Sequence, residues 1–101
     1  MKSKKNYKVI ISDSAKADIR KNASWYNKQQ KGLGKHFSQS IKECIKTTQL
    51  QPESCRIRYK NNRVAIPYKF PYLVIYNIDE QNNTLNIIAV FHTKQNPVKL
   101  K

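Results

Sequence analysis

The residues of this chain that could do chemistry lie in its second half. His92 closes an apolar run, Leu85-Asn86-Ile87-Ile88-Ala89-Val90-Phe91-His92. Imidazole titrates near neutrality, so His92 could serve as a general acid or base. It could equally close a strand by hydrogen bonding to backbone. Upstream, Arg56, Arg58 and Lys60 alternate with Ile57 and Tyr59, and Arg63 follows Asn61-Asn62. Alternation places the first three on one face of a strand, and a tight turn brings Arg63 close to them. Three of the four arginines of the chain fall within these eight residues. Guanidinium forks suit phosphate or carboxylate, so the ladder reads as an anion-binding patch or as an edge strand guarded by charge. The third set is aromatic: Tyr59, Tyr68, Tyr72, Tyr76 and Phe91. Such rings beside cations can stack bases, or they can fill the core of a sheet.

Other chemistries find no support. Ser12, Ser14, Ser38 and Ser40 sit at helix caps or on helix surfaces, with no base expected nearby. Gly32 and Gly34 follow a helix rather than a strand, which excludes a phosphate loop. Cys44 and Cys55 form no C-x-x-C pair, and no His, Cys or carboxylate cluster has metal spacing. No metal and no cofactor is expected. Cys44 falls on an apolar helix stripe and reads as a buried small hydrophobe, in keeping with a reduced, cytoplasmic setting. No segment approaches the ~20 apolar residues of a membrane helix.

The chain has 101 residues, with 20 Lys and Arg against 6 Asp and Glu, for a formal net charge of +14. Its length fits a single domain, 1–101, with residues 1–6 as a basic tail. Six carboxylates cannot neutralise twenty cations. The resulting field favours nucleic acid or an acidic protein.

Periodicity supplies the elements that must position these groups. Tyr7–Ile11 is β-branched and reads as a strand. Ser12, Asp13 and Ser14 can cap a helix, and Ala15, Ile19, Ala23 and Tyr26 recur at helical spacing up to about Gln30, with Trp25 on the flank. Gly32 and Gly34 allow a sharp turn. Leu33, Phe37, Ile41, Cys44 and Ile45 make a second stripe, so the two helices form an antiparallel hairpin. Strands follow at 56–60, 63–67, 72–79 and 85–92, the last two apolar on both faces and therefore central. The fold class is α+β: an N-terminal strand, a helical hairpin, then a four-stranded antiparallel segment completing one sheet (β-α-α-β-β-β-β). Leu33, Phe37, Ile41 and Ile45 are expected to pack on Ile57, Val64, Ile66, Leu73 and Ile75.

These residues resemble a known family. Ser12-Asp13-Ser14-Ala15-Lys16-Ala17-Asp18-Ile19, then Trp25-Tyr26, Gly32-Leu33-Gly34 and Phe37, are similar to segments of the RelE/ParE superfamily of type II toxin–antitoxin toxins. So are Phe70-Pro71-Tyr72-Leu73-Val74-Ile75-Tyr76 and Ala89-Val90-Phe91-His92. The resemblance spans roughly residues 7–98 and implies the same fold. It implies a growth-inhibiting toxin neutralised by an acidic antitoxin. RelE-like members cut mRNA in the ribosomal A site; ParE-like members poison DNA gyrase without cleaving RNA. By resemblance, His92 matches the strand-end histidine of some nucleases, with Arg63 as its catalytic companion. Arg56, Arg58, Lys60, Arg63, Lys69 and Tyr72 make the nucleic-acid or antitoxin-binding set. Yet the position opening the fourth strand, often arginine in the nucleases, is Tyr72, and the residue after the histidine is Thr93. The expectation is gyrase inhibition; the alternatives are ribosome-dependent mRNA cleavage and a non-toxic binding module of the same fold.

Overall fold

The computed structural model describes residues 7–94; the basic tail expected at 1–6 lies outside them. The element order is β1 (Lys8–Ile11), α1 (Asp13–Gln29), α2 (Leu33–Leu50), β2 (Ile57–Tyr59), β3 (Asn62–Ala65), β4 (Tyr72–Asp79) and β5 (Thr84–His92). The five strands form one sheet in the order β1-β5-β4-β3-β2. β2 to β5 pair antiparallel, whereas β1 pairs parallel with β5, so the sheet is mixed.

Local chemistry sets the helix ends. The Ser12 hydroxyl accepts the Ala15 N–H at 3.0 Å, and Asp13 complements the positive end of the α1 dipole. The connection to α2 turns at Gly32, whose φ of +87° suits a residue without Cβ. Gly32 caps α2 but has no side chain to do so. The Asn27 carboxamide substitutes: its Oδ1 accepts the N–H groups of Gly32 (3.2 Å) and Gly34 (3.0 Å). Gly34 lies directly against α1 at the Ala23 carbonyl, which lets the two helices cross closely.

The helices cover one face of the sheet. Ala15, Phe37, Ile41 and Ile45 bury against Ala65, Tyr72, Val74, Tyr76, Leu85, Ile87 and Val90. Ile19, Ala23 and Tyr26 pack on the margin of this core, as the α1 stripe predicts. The expected sheet partners need correction. Ile57 and Ile66 are 54% and 72% exposed. Ala65, not Val64, points to the helices from β3, while Ile66 lies past the strand end. On β4 the inward residues are Tyr72, Val74 and Tyr76. Ile75 is fully buried, but it pairs with Ala89 on the other face. Leu33 and Cys44 are half-buried rather than core.

β5 contains a bulge. Ile75 pairs with Ala89 and Tyr76 with Ile87, which leaves Ile88 as an extra residue. Three bonds from the β1–α1 segment fasten it. Ser12 N–H donates to the Ile87 carbonyl at 2.9 Å, and the Ser12 hydroxyl donates to the Ile88 carbonyl at 3.1 Å. The Asp18 carboxylate accepts the Val90 N–H at 3.1 Å.

Candidate functional site

The bulge decides where His92 points. Leu85 and Ile87 face the helices, so strict alternation would send Val90 and His92 to the opposite side. The extra residue reverses the phase, and Val90 joins the helix-side core. His92 follows it. It pairs with Tyr72 across the ladder, and the two rings meet edge to face with centroids 5.0 Å apart. The Lys94 N–H donates to His92 Nδ1 at 3.1 Å, which places the proton of the neutral ring on Nε2.

Tyr72 is anchored rather than offered to solvent. It is 2% exposed, and its hydroxyl donates to Asn22 Oδ1 at 2.7 Å. Burial, followed by the adjacent Tyr26 hydroxyl, pushes its phenol well above the ordinary range. It belongs to a ring cluster with Tyr26, Phe37 and Phe70, where the Phe37 and Tyr72 centroids are 4.8 Å apart. Beside this cluster opens a cavity of about 440 Å3 lined by Asp18, Lys21, Asn22, Trp25, Tyr26, Tyr72, Val90 and His92. Asp18, Lys21, Asn22 and Trp25 were not recognised as site residues from the sequence. Their spacing of three and four along α1 is the available signal: a polar and aromatic stripe beside the apolar one.

The cations lie elsewhere. Ile57 pairs with Arg63 and Tyr59 with Asn62, so β2 is bulged and Arg58 is its extra residue. Lys60 sits in the turn with φ +55°. The single-faced ladder read from alternation therefore does not form. Arg56, Arg58 and Lys60 are exposed along the outer sheet edge, and among the described residues Arg56 and Arg58 make no hydrogen bond or ion pair. Arg63 pairs with Tyr76 and so shares the helix-side face. Its guanidinium donates to the Cys55 and Glu53 carbonyls, while the Tyr76 hydroxyl donates to the Pro52 carbonyl at 2.6 Å. Together these two side chains fasten the segment between α2 and β2. Lys69 stands on the β3–β4 connection with φ +76°, its ammonium 5.7 Å from the exposed Tyr68 ring.

The structure thus joins His92 with Tyr72 and separates both from the arginines. β4 and β3 lie between β5 and β2. That is roughly 14 Å across the sheet at the usual strand spacing. Arg63, on β3, is roughly 10 Å across the sheet from β5, but it is level with Tyr76 rather than Tyr72, an offset of roughly 13 Å along the strand. The pair expected to be catalytic does not converge.

A helical hairpin on one face of a mixed sheet is also the fold of chains in solved toxin–antitoxin structures. A chain of the chromosomal ParDE toxin–antitoxin system from P. aeruginosa superposes with a TM-score of 0.77 at 14% identity, over 88% of this chain and 98% of the other. The E. coli RelBE toxin–antitoxin complex matches with a TM-score of 0.66 at 14% identity, over 88% and 99%. RelBE2 from Mycobacterium tuberculosis matches at 0.62 and 16%, over 86% and 98%. The family model of the ParE toxin of type II toxin–antitoxin systems matches residues 9–97. The chain belongs to that family and is a toxin of a type II toxin–antitoxin system with the ParE/RelE fold. No curated protein sequence matches it.

Proposed function

We propose that this toxin arrests growth by binding DNA gyrase and that it holds no RNA-cleaving centre. The observation that carries this reading is the separation of His92 from the cations: two strands lie between β5 and the β2 edge of Arg56, Arg58 and Lys60, and one lies between β5 and Arg63 on β3. Cleavage through 2′-OH attack requires a base, an acid and charge stabilisation around one phosphate. Here the imidazole and the guanidinium groups rise from backbone positions roughly 16 Å or more apart at the usual strand spacing, and Arg63 is engaged by backbone carbonyls. The family match over residues 9–97 supports the same reading. The exposed edge of Arg56, Arg58 and Lys60 serves the antitoxin, an acidic protein whose segment meets these cations. Lys69 adds an exposed cation on the β3–β4 connection. The toxin acts in the cytoplasm, where its target resides.

The test is direct. Purified toxin is added to gyrase supercoiling reactions and, separately, to programmed ribosomes. The expected outcome is loss of supercoiling with intact mRNA. Codon-specific mRNA cuts that disappear in His92→Gln would overturn it, because loss of a general acid or base lowers rates by ~10²–10⁴. A chain inert in both reactions would be a binding module without toxicity, which equally overturns the proposal.

A further inference from the structure

The cavity beside Trp25 combines three features rarely found together on so small a surface. Trp25 is the only tryptophan of the chain and is 54% exposed. Its one aromatic contact is edge-type, with Tyr26 at 5.0 Å, and among the described residues no ring lies parallel against it. One helical turn earlier, Lys21 is exposed and makes no hydrogen bond or ion pair among the described residues. One turn before that, Asp18 is half-buried. Its Oδ2 accepts the Val90 N–H, while its Oδ1 makes no hydrogen bond among the described residues. Asn22, between them, is already committed: it accepts from Tyr72 and donates to the Asp18 carbonyl at 2.7 Å.

An aromatic plane, an unpaired cation and a carboxylate with one uncommitted oxygen thus line one cavity of about 440 Å3, within the usual size range of small-ligand sites. We propose that this cavity binds an unpaired nucleobase bearing an exocyclic amino group, together with its phosphate. The base stacks on Trp25, its amino group donates to Asp18 Oδ1, and the phosphate meets Lys21. Stacking on indole is tolerant of base identity, so the carboxylate supplies the discrimination. Adenine and cytosine carry the required donor; thymine presents a carbonyl there and would face Asp18 with acceptor against acceptor. An aromatic side chain alone would fill the plane but leave Lys21 and Asp18 unused, whereas one base with its phosphate engages all three. The proposal holds whichever macromolecule the toxin attacks, since it concerns only the α1 side of the cavity.

A free nucleotide and an unpaired nucleotide within a single strand share this chemistry. Because Trp25 is the sole tryptophan, its fluorescence reports the site directly. The purified full chain is titrated with dAMP, dCMP and dTMP, and separately with short homopolymers of dA, dC and dT at fixed ionic strength. Saturable quenching is expected, with the thymine ligands bound about tenfold more weakly than their amino-bearing counterparts. Lys21→Glu should weaken every ligand about tenfold or more, and Lys21 is exposed, so the variant is expected to fold. Trp25→Ala, followed by calorimetry, should lose binding of all ligands. This base order in the mononucleotides identifies a free nucleotide; the same order in the homopolymers alone identifies a strand. Equal affinity for thymine and cytosine ligands, equal quenching by ribose 5-phosphate, indifference to Lys21→Glu, or no binding of either series would overturn the proposal.

Discussion

Substituting Gly34 by alanine should drive the two helices apart. A Cβ at Gly34 would lie 2.2 Å from the Ala23 carbonyl oxygen and 3.0 Å from Asn27 Oδ1. Ordinary contact begins at 3.4 Å, and the obstructing oxygen belongs to backbone, so no side-chain rotation relieves the overlap. The helices must part by about 1 Å, which exposes core that is otherwise closely packed. Overpacking of this kind costs about 1–3 kcal/mol. The same methyl displaces the Asn27 carboxamide that caps α2, worth about 1 kcal/mol more. Together these are about 2–4 kcal/mol, against a total stability on the order of 5–15 kcal/mol for a domain of this size. The melting temperature should fall by on the order of 10–25 °C, measured by circular dichroism. Gly32 supplies the control. Nothing lies within 4 Å of its Cβ position, so Gly32→Ala bears only the left-handed backbone penalty of about 1 kcal/mol. Gly32→Asn should be milder still, because asparagine tolerates that conformation. A Gly34→Ala protein that melts with the wild type, or no lower than Gly32→Ala, would refute the close-crossing argument.

Phe37→Ala should cost about 3–5 kcal/mol in urea denaturation, since Phe37 is fully buried among the rings of Tyr26, Phe70 and Tyr72; an unchanged midpoint would contradict this packing. Burial pushes the Cys44 thiol up to about 11, so alkylation at neutral pH should be slow there. The folded thiol holds its proton more tightly than the unfolded one, so this group's contribution to stability is complete below about 9 and lost as pH rises towards 11. Alkylation rates and unfolding curves over that range check both statements. Antitoxin binding should weaken steeply with salt, because the exposed Arg56 and Arg58 are screened beyond roughly 8 Å at physiological ionic strength. An affinity indifferent to salt, or to replacement of both arginines by glutamate, would count against that edge as the contact.

The order of elements was legible because each helix carries one apolar stripe bounded by capping and glycine residues. Strand phase was not. Tyr72 to Ile78 is apolar at nearly every position, so period alone could not tell Val74 and Tyr76, which face the helices, from Leu73 and Ile75, which do not. On β3 the β-branched Val64 and Ile66 were expected to point inward, but the small Ala65 fills the space beneath the helices instead. The cation ladder failed for a related reason. Alternation holds only in a regular strand, and the bulge at Arg58 with the turn at Lys60 interrupts it. Neither feature announces itself through glycine or proline. The roles of Asn27 and Arg63 were obscure because their partners are backbone atoms across a turn or loop, invisible to any pairwise reading of side-chain types.

The bulge at Ile88 connects these local facts to function. Without it, His92 would stand on the face of the sheet that the helices leave uncovered. With it, the imidazole turns towards α1 and meets Tyr72 at the edge of the Trp25 cavity. The residues that hold the bulge are Ser12 and Asp18, both from the α1 end of the β1–α1 unit and both bonded to β5 backbone. Asp18 therefore acts twice. One oxygen secures the Val90 N–H and so the phase of the strand, while the residue also lines the cavity that this phase creates. Tyr72, where an arginine would have placed a second cation beside the histidine, instead ties the sheet to Asn22 on the same helix. The sequence choices at positions 12, 18, 22 and 72 thus act in one direction. They bring His92 into an aromatic recess on the helix side, while Arg56, Arg58 and Lys60 stay on the far edge of the sheet.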